Sequence, residues 1–180
     1  MTIDAGTGDG RAVLAAATRE PGTLVLGLDA NAASMAESSR RAARPARKGG
    51  LLNAGFIVAA AETPPAELHG LASLVTVRFP WGSLLRGVIG RDDLVAAGLA
   101  RLVAAEGALE LLVAALERDG LDGVPTSAED LVAAAAGAFA DHGFAIDHAA
   151  ELTRAEIKAT GSTWARRLDR QATLIRLVRR

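Results

Sequence analysis

Short apolar runs alternate with longer amphipathic stretches along the whole chain, and this alternation leaves few architectures open. Thr2 to Asp4, Thr23 to Leu28, Ala54 to Ala60, Leu71 to Phe79, Ala108 to Ala115, Phe144 to His148 and Thr173 to Val178 read as strands. The run TLVLGL is apolar on both faces, the mark of a strand covered on both sides. Gly10 to Arg19, Asn31 to Arg44 and Asp92 to Ala105 read as helices; Pro21-Gly22 closes the first and Pro45 the second. A further helix starts at Thr126, with Glu129 three residues on as a capping box, and ends at His142-Gly143. Strand–helix alternation of this kind predicts an α/β, doubly wound, mostly parallel sheet with helices on both faces. With 180 residues, half of them hydrophobic, the chain has material for one core and no room for a second, so residues 1–180 are expected to form one domain.

Composition removes several functions. The 20 Lys and Arg balance 21 Asp and Glu, so a globally basic nucleic-acid binder is excluded while a local basic patch is not. There is no Cys, which removes disulfides, thiolate zinc sites, iron–sulfur clusters and cysteine nucleophiles. Three scattered His argue against an all-His metal site, and no metal is expected. Charged residues and glycines interrupt every apolar stretch before it reaches membrane-spanning length. Met1 to Asp4 leaves no space for a secretory signal before the first motif, so the expected location is the cytoplasm, away from membranes.

In a doubly wound sheet ligands bind at the carboxyl ends of the strands, near the point where strand order reverses. The first strand–helix turn is Asp4-Ala5-Gly6-Thr7-Gly8-Asp9-Gly10. Glycines there let the backbone turn tightly and approach a ligand closely. The dinucleotide fingerprint G-x-G-x-x-G/A fails, because Arg11 stands where it needs Gly or Ala. The pattern acidic–x–G–x–G–x–G is instead that of methyltransferases using S-adenosyl-L-methionine (SAM). Asp29 ends the second strand about 20 residues on, where a carboxylate accepts both ribose hydroxyls. The competing reading is a plain Gly-rich turn followed by a helix N-cap at Asp29. After the third strand, Ala59-Ala60-Ala61 leaves space for a flat adenine and Glu62 is placed to hydrogen-bond near it; a solvent-exposed Glu opening a loop is the alternative.

Aromatic residues make up only 3% of the chain, so its two tryptophans call for a reason. Trp81 follows the fourth strand in Phe79-Pro80-Trp81-Gly82-Ser83 and is expected at the mouth of the site. Trp164 stands in Ser162-Thr163-Trp164-Ala165-Arg166-Arg167. Such a pair can sandwich a flipped base, or both can be core residues. Basic residues cluster twice: Arg40, Arg41, Arg44, Arg47 and Lys48 against one acid between Glu37 and Lys48, and eight Lys or Arg against two acids from Leu152 to Arg180. They form either a phosphate footprint or a solvated helix face with a charged tail.

Six stretches together carry a specific resemblance. They are the glycine turn, Gly27-Leu28-Asp29, Arg40-Arg41 through Lys48-Gly49-Gly50-Leu51, Ala59-Ala60-Ala61-Glu62, Phe79-Pro80-Trp81-Gly82-Ser83-Leu84-Leu85 and Ser162-Thr163-Trp164-Ala165-Arg166-Arg167-Leu168. In order and over nearly the whole chain, they resemble the 16S ribosomal RNA adenine-N1 methyltransferases that confer aminoglycoside resistance. The resemblance implies a seven-stranded, Rossmann-like SAM-methyltransferase fold with an antiparallel last strand. It implies that Asp4, Gly6, Gly8, Asp29, Ala61, Glu62 and the segment Thr76 to Trp81, with Thr76, Phe79 and Pro80 named in it, line the SAM site, that Trp81 and Trp164 stack on the flipped adenine, and that Ser162 orients the Trp164 loop. Arg40, Arg41, Arg44, Lys48 and Arg167 would bind phosphates of rRNA in the small ribosomal subunit, with a monomer as the acting form. Two departures bear on docking: the chain starts almost on the glycine turn, where the family has an extra hairpin and a longer first strand, and the Glu117 to Pro125 connection is short. Beside the rRNA methyltransferase stand two other readings, a methyltransferase acting on a small molecule and a SAM-binding relative without catalysis.

Overall fold

The computed structural model describes residues 1–114, 124–125, 127–160 and 172–180. Seven strands form one sheet in the order β3-β2-β1-β4-β5-β7-β6. β1 (Thr2–Ala5) runs parallel to β2 (Val25–Asp29) and to β4 (Ala72–Arg78); β2 is parallel to β3 (Ala54–Val58), and β4 to β5 (Val103–Val113). The last strand, β7 (Ala172–Arg179), is antiparallel to both β5 and β6 (Phe144–Leu152). The mostly parallel sheet is what the alternation predicts, and its seven strands with a reversed last one are what the resemblance implies. The chain winds outward from β1 to β3, then returns to lay β4 on the other side of β1, which opens a crevice at the carboxyl ends of β1 and β4.

Helices α1 (Arg11–Arg19) and α2 (Ala32–Ala42) pack on β2 and β3, while α4 (Asp93–Leu102) packs on β4 and β5 and α5 (Ala128–Ala140) on β6 and β7. The main core joins Ile3, Val75, Val77, Leu109 and Leu111 of the sheet to Leu99 and Phe139 of the helices. Each such side chain stabilises the fold by about 1.5–3 kcal/mol when fully buried. A second cluster of Val13, Ala16, Ala17 and Val25 lies under α1. Gly27 permits it: a Cβ there would stand 3.0 Å or less from Val13, Thr7 and Phe56.

Several boundaries differ from the sequence reading. α2 stops at Ala42, so Arg44 lies beyond the helix, and a 3-10 turn (Ala46–Lys48) follows Pro45. α4 stops at Leu102, before the expected Ala105, because Val103 is already extended and pairs with Ala72; β5 thus starts early and carries an irregularity, with Glu106 left-handed (φ 59°) and a register shift between Ala72 and Leu74. The cap of α5 is Ser127, whose hydroxyl accepts the N–H of Asp130 at 3.0 Å; the expected Thr126 cap lies outside the described residues, and Glu129 is not the capping partner. Two short helices add to those the sequence predicts, α3 (Gly82–Val88) and α6 (Arg154–Ala159). α6 is opened by a Thr153–Glu156 capping box. Among the described residues, no helix is long and apolar enough to cross a membrane.

Candidate active site

The turn between β1 and α1 carries three glycines with left-handed φ: Gly6 at 70°, Gly8 at 58° and Gly10 at 70°. L side chains rarely adopt such values. The turn is tied to the end of β2: the N–H groups of Gly6 and Thr7 donate to the Leu28 carbonyl at 2.8 and 3.1 Å, and that of Gly8 to Asp29 Oδ2 at 2.8 Å. A Cβ at Gly6 would overlap Leu84, and one at Gly10 would overlap Phe56, whereas at Gly8 nothing lies within 4 Å. The open side at Gly8 is a cavity of about 550 Å³ at the carboxyl ends of β1 and β4. That size lies in the range of small-molecule and cofactor pockets.

Asp29 stands on its wall. Oδ2 takes the Gly8 N–H and Oδ1 takes the Asn31 N–H at 2.8 Å, which leaves one lone pair on each oxygen for a ligand. The helix-cap reading of Asp29 does not hold, since the cap of α2 is Asn31, accepting the Ala33 N–H at 3.1 Å. Across the cavity, Ala59, Ala60, Ala61 and Glu62 form a second wall.

Beneath the turn lies a buried polar cluster. Asp4 is 3% exposed, and accepts the hydroxyls of Thr7 and Thr76 at 2.8 Å each, together with the guanidinium of Arg78. With three donors, one of them cationic, a buried carboxylate is well satisfied. Thr76, expected to line the site, is instead covered and does not reach the cavity; it orients Asp4 from below. Its position on β4 directly beside Asp4 in the parallel register explains this.

β4 ends abruptly. Phe79 takes φ 52°, which costs a non-glycine residue energy, and it is anchored by its N–H to the Leu112 carbonyl at 2.7 Å and by packing against Leu112 and Ile157. Pro80 is buried, and Trp81 turns outward. Trp81 is 71% exposed at the rim of the cavity, so the core reading fails for it. Of the expected cofactor residues, Asp4, Gly6, Gly8, Asp29, Ala61, Glu62, Phe79 and Pro80 all border the cavity. Ser162, Trp164 and Arg167 lie outside the described residues.

Arg40, Arg41, Arg44 and Lys48 are all exposed. The Lys48-Gly49-Gly50 turn folds the chain back onto the end of α2: Gly49 takes φ 79°, and a Cβ at Gly50 would overlap the Arg44 carbonyl. The Leu51 N–H then donates to the Ala42 carbonyl at 2.9 Å. Glu37 sits in the same patch, paired with Arg40 at 3.0 Å. The hydrogen bond from Arg40, with the charges of Arg40, Arg44 and Arg41, holds its carboxyl below the usual range.

Two functional features escape a reading of the sequence, and a third is read only in part. The third is Arg78: it lies in the Thr76 to Trp81 segment that the resemblance gives to the cofactor site and reaches the cavity, but alternation alone does not single it out from its strand neighbours. Leu84 of α3 packs over Gly6, and its helix is too short to announce itself by periodicity. Gly98 lies inside an alanine-rich helix, yet it faces the Ala61 wall. Among the described residues no group of His, Asp or Glu is placed to hold a metal ion.

A reversed last strand on an otherwise parallel sheet, with a glycine-turn cavity at its switch point, defines a SAM-dependent methyltransferase. The model of the NpmA family, described as 16S rRNA (adenine(1408)-N(1))-methyltransferase, matches residues 1–178, and the chain belongs to that family. It is 32% identical over 174 residues to the 16S rRNA (adenine(1408)-N(1))-methyltransferase of Escherichia coli, covering 92% of this chain and 79% of that protein. It is 34% identical over 176 residues to the enzyme of that name from Streptoalloteichus hindustanus, covering 94% and 80%. A crystal structure of a variant of the Catenulisporales acidiphilia enzyme with its cosubstrate SAM superposes with a TM-score of 0.88 at 32% identity, covering 99% of this chain and 84% of that one. The aminoglycoside resistance methyltransferase NpmB1 is 36% identical, with a TM-score of 0.83 and coverage of 99% and 86%.

Proposed function

We propose that this chain methylates N1 of an adenine in the decoding site of 16S rRNA, using SAM, and so confers resistance to aminoglycosides. The substrate is the assembled small ribosomal subunit, met in the cytoplasm by a monomer acting as one domain. The observation that carries this reading is the exposed Trp81 at the rim of a glycine-turn cavity, in a chain whose family matches over residues 1–178.

The residues present suit SAM. Asp29 keeps a free lone pair on each oxygen, as two ribose hydroxyls require. Gly8 presents bare backbone to the cavity, and three alanines leave a flat slot for a purine. When bound, SAM supplies an electrophilic methyl group on a sulfonium. Adenine N1 carries an in-plane lone pair, so no proton has to leave before it attacks and no metal or strong base is called for. The chain's task is placement: expose the base, hold N1 in line and keep water out, which is catalysis by proximity and orientation. Extruding the base costs a few kcal/mol, offset by about 1–3 kcal/mol for each aromatic ring it stacks on. Trp81 offers one such ring at the rim, and Trp164 is assigned the second. Ser162 would set the Trp164 loop. Asp4, with both oxygens engaged by Thr7, Thr76 and Arg78, is a positioning group and not a proton carrier. Arg40, Arg41, Arg44 and Lys48, with Arg167, would grip rRNA phosphates, which fix register and not sequence.

The test is methyl transfer from labelled SAM to purified small subunits, followed by primer extension to locate the blocked base. A single stop at one decoding-site adenine is expected. Tight SAM binding without any methyl transfer would turn the assignment to a SAM-binding relative that has lost catalysis.

A further inference from the structure

We infer that Arg78 receives the carboxylate of SAM and is the residue by which this site selects a ligand with an intact amino-acid end. The inference rests on the proposed function and adds a subsite to it. Arg78 is the last residue of β4, across the crevice from the glycine turn, and its side chain is 15% exposed on the cavity wall. A guanidinium carries five N–H donors in a rigid fork. Here Nη1 is given to Asp4 Oδ1, and Asp4 is the only partner of the guanidinium among the described residues. A cation that is mostly withdrawn from water, with most of its donors unspent, is costly unless a ligand completes it. The ligand must be anionic and planar, with two acceptors, which describes a carboxylate.

Asp4 makes Arg78 a fixed receptor rather than a mobile surface cation. Its Oδ1 holds both Arg78 and the Thr76 hydroxyl, and its Oδ2 holds the Thr7 hydroxyl. One lone pair remains on Oδ2, enough for the ammonium beside that carboxylate. The zwitterionic end of SAM therefore meets a guanidinium and a carboxylate already paired with each other. At the far end of the cavity Asp29 takes the ribose. Any ligand that spans both needs a nucleoside and a carboxylate.

SAM and decarboxylated SAM differ by that carboxylate alone, so their affinities, measured by calorimetry on the full chain, isolate it. The intact protein is expected to prefer SAM by about ten- to a hundredfold, the usual range for hydrogen bonds to a charged group. Arg78→Met should abolish the preference by weakening SAM while leaving decarboxylated SAM within about threefold. Arg78→Lys keeps a charge beside Asp4, so it protects the fold if the Met variant is unstable; the preference should shrink without vanishing, since the fork is lost. An equal fall for both ligands in either variant would show that Arg78 only supports Asp4 and would overturn the inference. So would an intact protein that binds the two ligands alike. An intact protein that binds neither ligand would reject the methyltransferase reading itself.

Discussion

Gly98 of α4 and the Ala61 carbonyl are packed so closely that a Cβ on residue 98 would overlap the carbonyl oxygen. The helix that covers β4 and β5 thereby sets the depth of the alanine wall of the cofactor cavity. Gly98→Ala should push Ala61 and Glu62 toward the ligand. Overpacking of this kind costs about 1–3 kcal/mol, and because Ala61 offers rigid backbone and not a flexible side-chain tip, the upper part of that range is expected. The denaturation midpoint and SAM affinity should both fall. A Gly98→Ala protein with unchanged affinity for SAM would show that the wall does not touch the cofactor.

The local part of this site is legible in the sequence. Gly6, Gly8 and Asp29 belong to one strand–turn–helix–strand unit, whose spacing follows from chain geometry, and the structure ties them together within that unit. Arg78 is legible only as one member of the Thr76 to Trp81 segment, and Leu84 and Gly98 are not legible, for different reasons. Arg78 looks like any outward strand residue until β4 is known to lie beside β1, a pairing across 72 residues of sequence that brings Thr76 onto Asp4. Leu84 sits in a helix of seven residues announced only by a Pro-Trp-Gly break, which reads equally as a loop. Gly98 is one more small residue among alanines, and its close neighbour comes from another part of the chain. The end of α4 is hidden because alanine suits a helix or a buried strand, so Ala104 and Ala105 carry no boundary signal.

Asp29 bears on the cofactor directly. Removing its carboxylate takes away the acceptors for the ribose and also unties the Gly8 N–H, held at 2.8 Å. Asp29→Ala should weaken SAM binding by about 1–3 kcal/mol. Asp29→Asn retains one acceptor oxygen and should lose less. Calorimetry on both variants checks the order; equal loss in the two would assign the carboxylate to the backbone turn and not to the ligand.

Trp81 separates catalysis from folding. At 71% exposure it contributes little to the core, so Trp81→Ala should leave thermal stability nearly unchanged, within the roughly 0.5 kcal/mol usual for surface positions. SAM affinity should stay within a few-fold. Methylation of small subunits should nonetheless drop at least tenfold, since the ring would supply about 1–3 kcal/mol of stacking to the extruded base. Trp81→Phe should restore part of the rate. If Trp81→Ala methylates at the parent rate, the base is held by other groups.

Glu37 opposes the arginines that surround it, and this gives the docking surface a sign that can be reversed. It is the acid paired with Arg40 at 3.0 Å, next to Arg41 and Arg44, on a face proposed to meet phosphate. Its carboxyl titrates below the usual range, first because Arg40 hydrogen-bonds it and then because of the neighbouring positive charges. A lowered carboxylate pKa means that its favourable pairing is complete above the ordinary carboxylate range and is lost only as pH falls through the lowered value. Around neutral pH Glu37 is therefore fully ionised and repels the RNA backbone. Glu37→Gln should tighten binding to small subunits, and reversing Arg40 and Arg41 to Glu should weaken it, with neither change shifting thermal stability much, because exposed pairs contribute little to folding. The logarithmic dependence of binding on salt should become shallower by about 0.7–0.9 for each phosphate that the reversed protein no longer neutralises. SAM affinity should be the same in all three proteins. Subunit binding that ignores salt, or that is unmoved by both substitutions, would place the RNA on another face of the molecule.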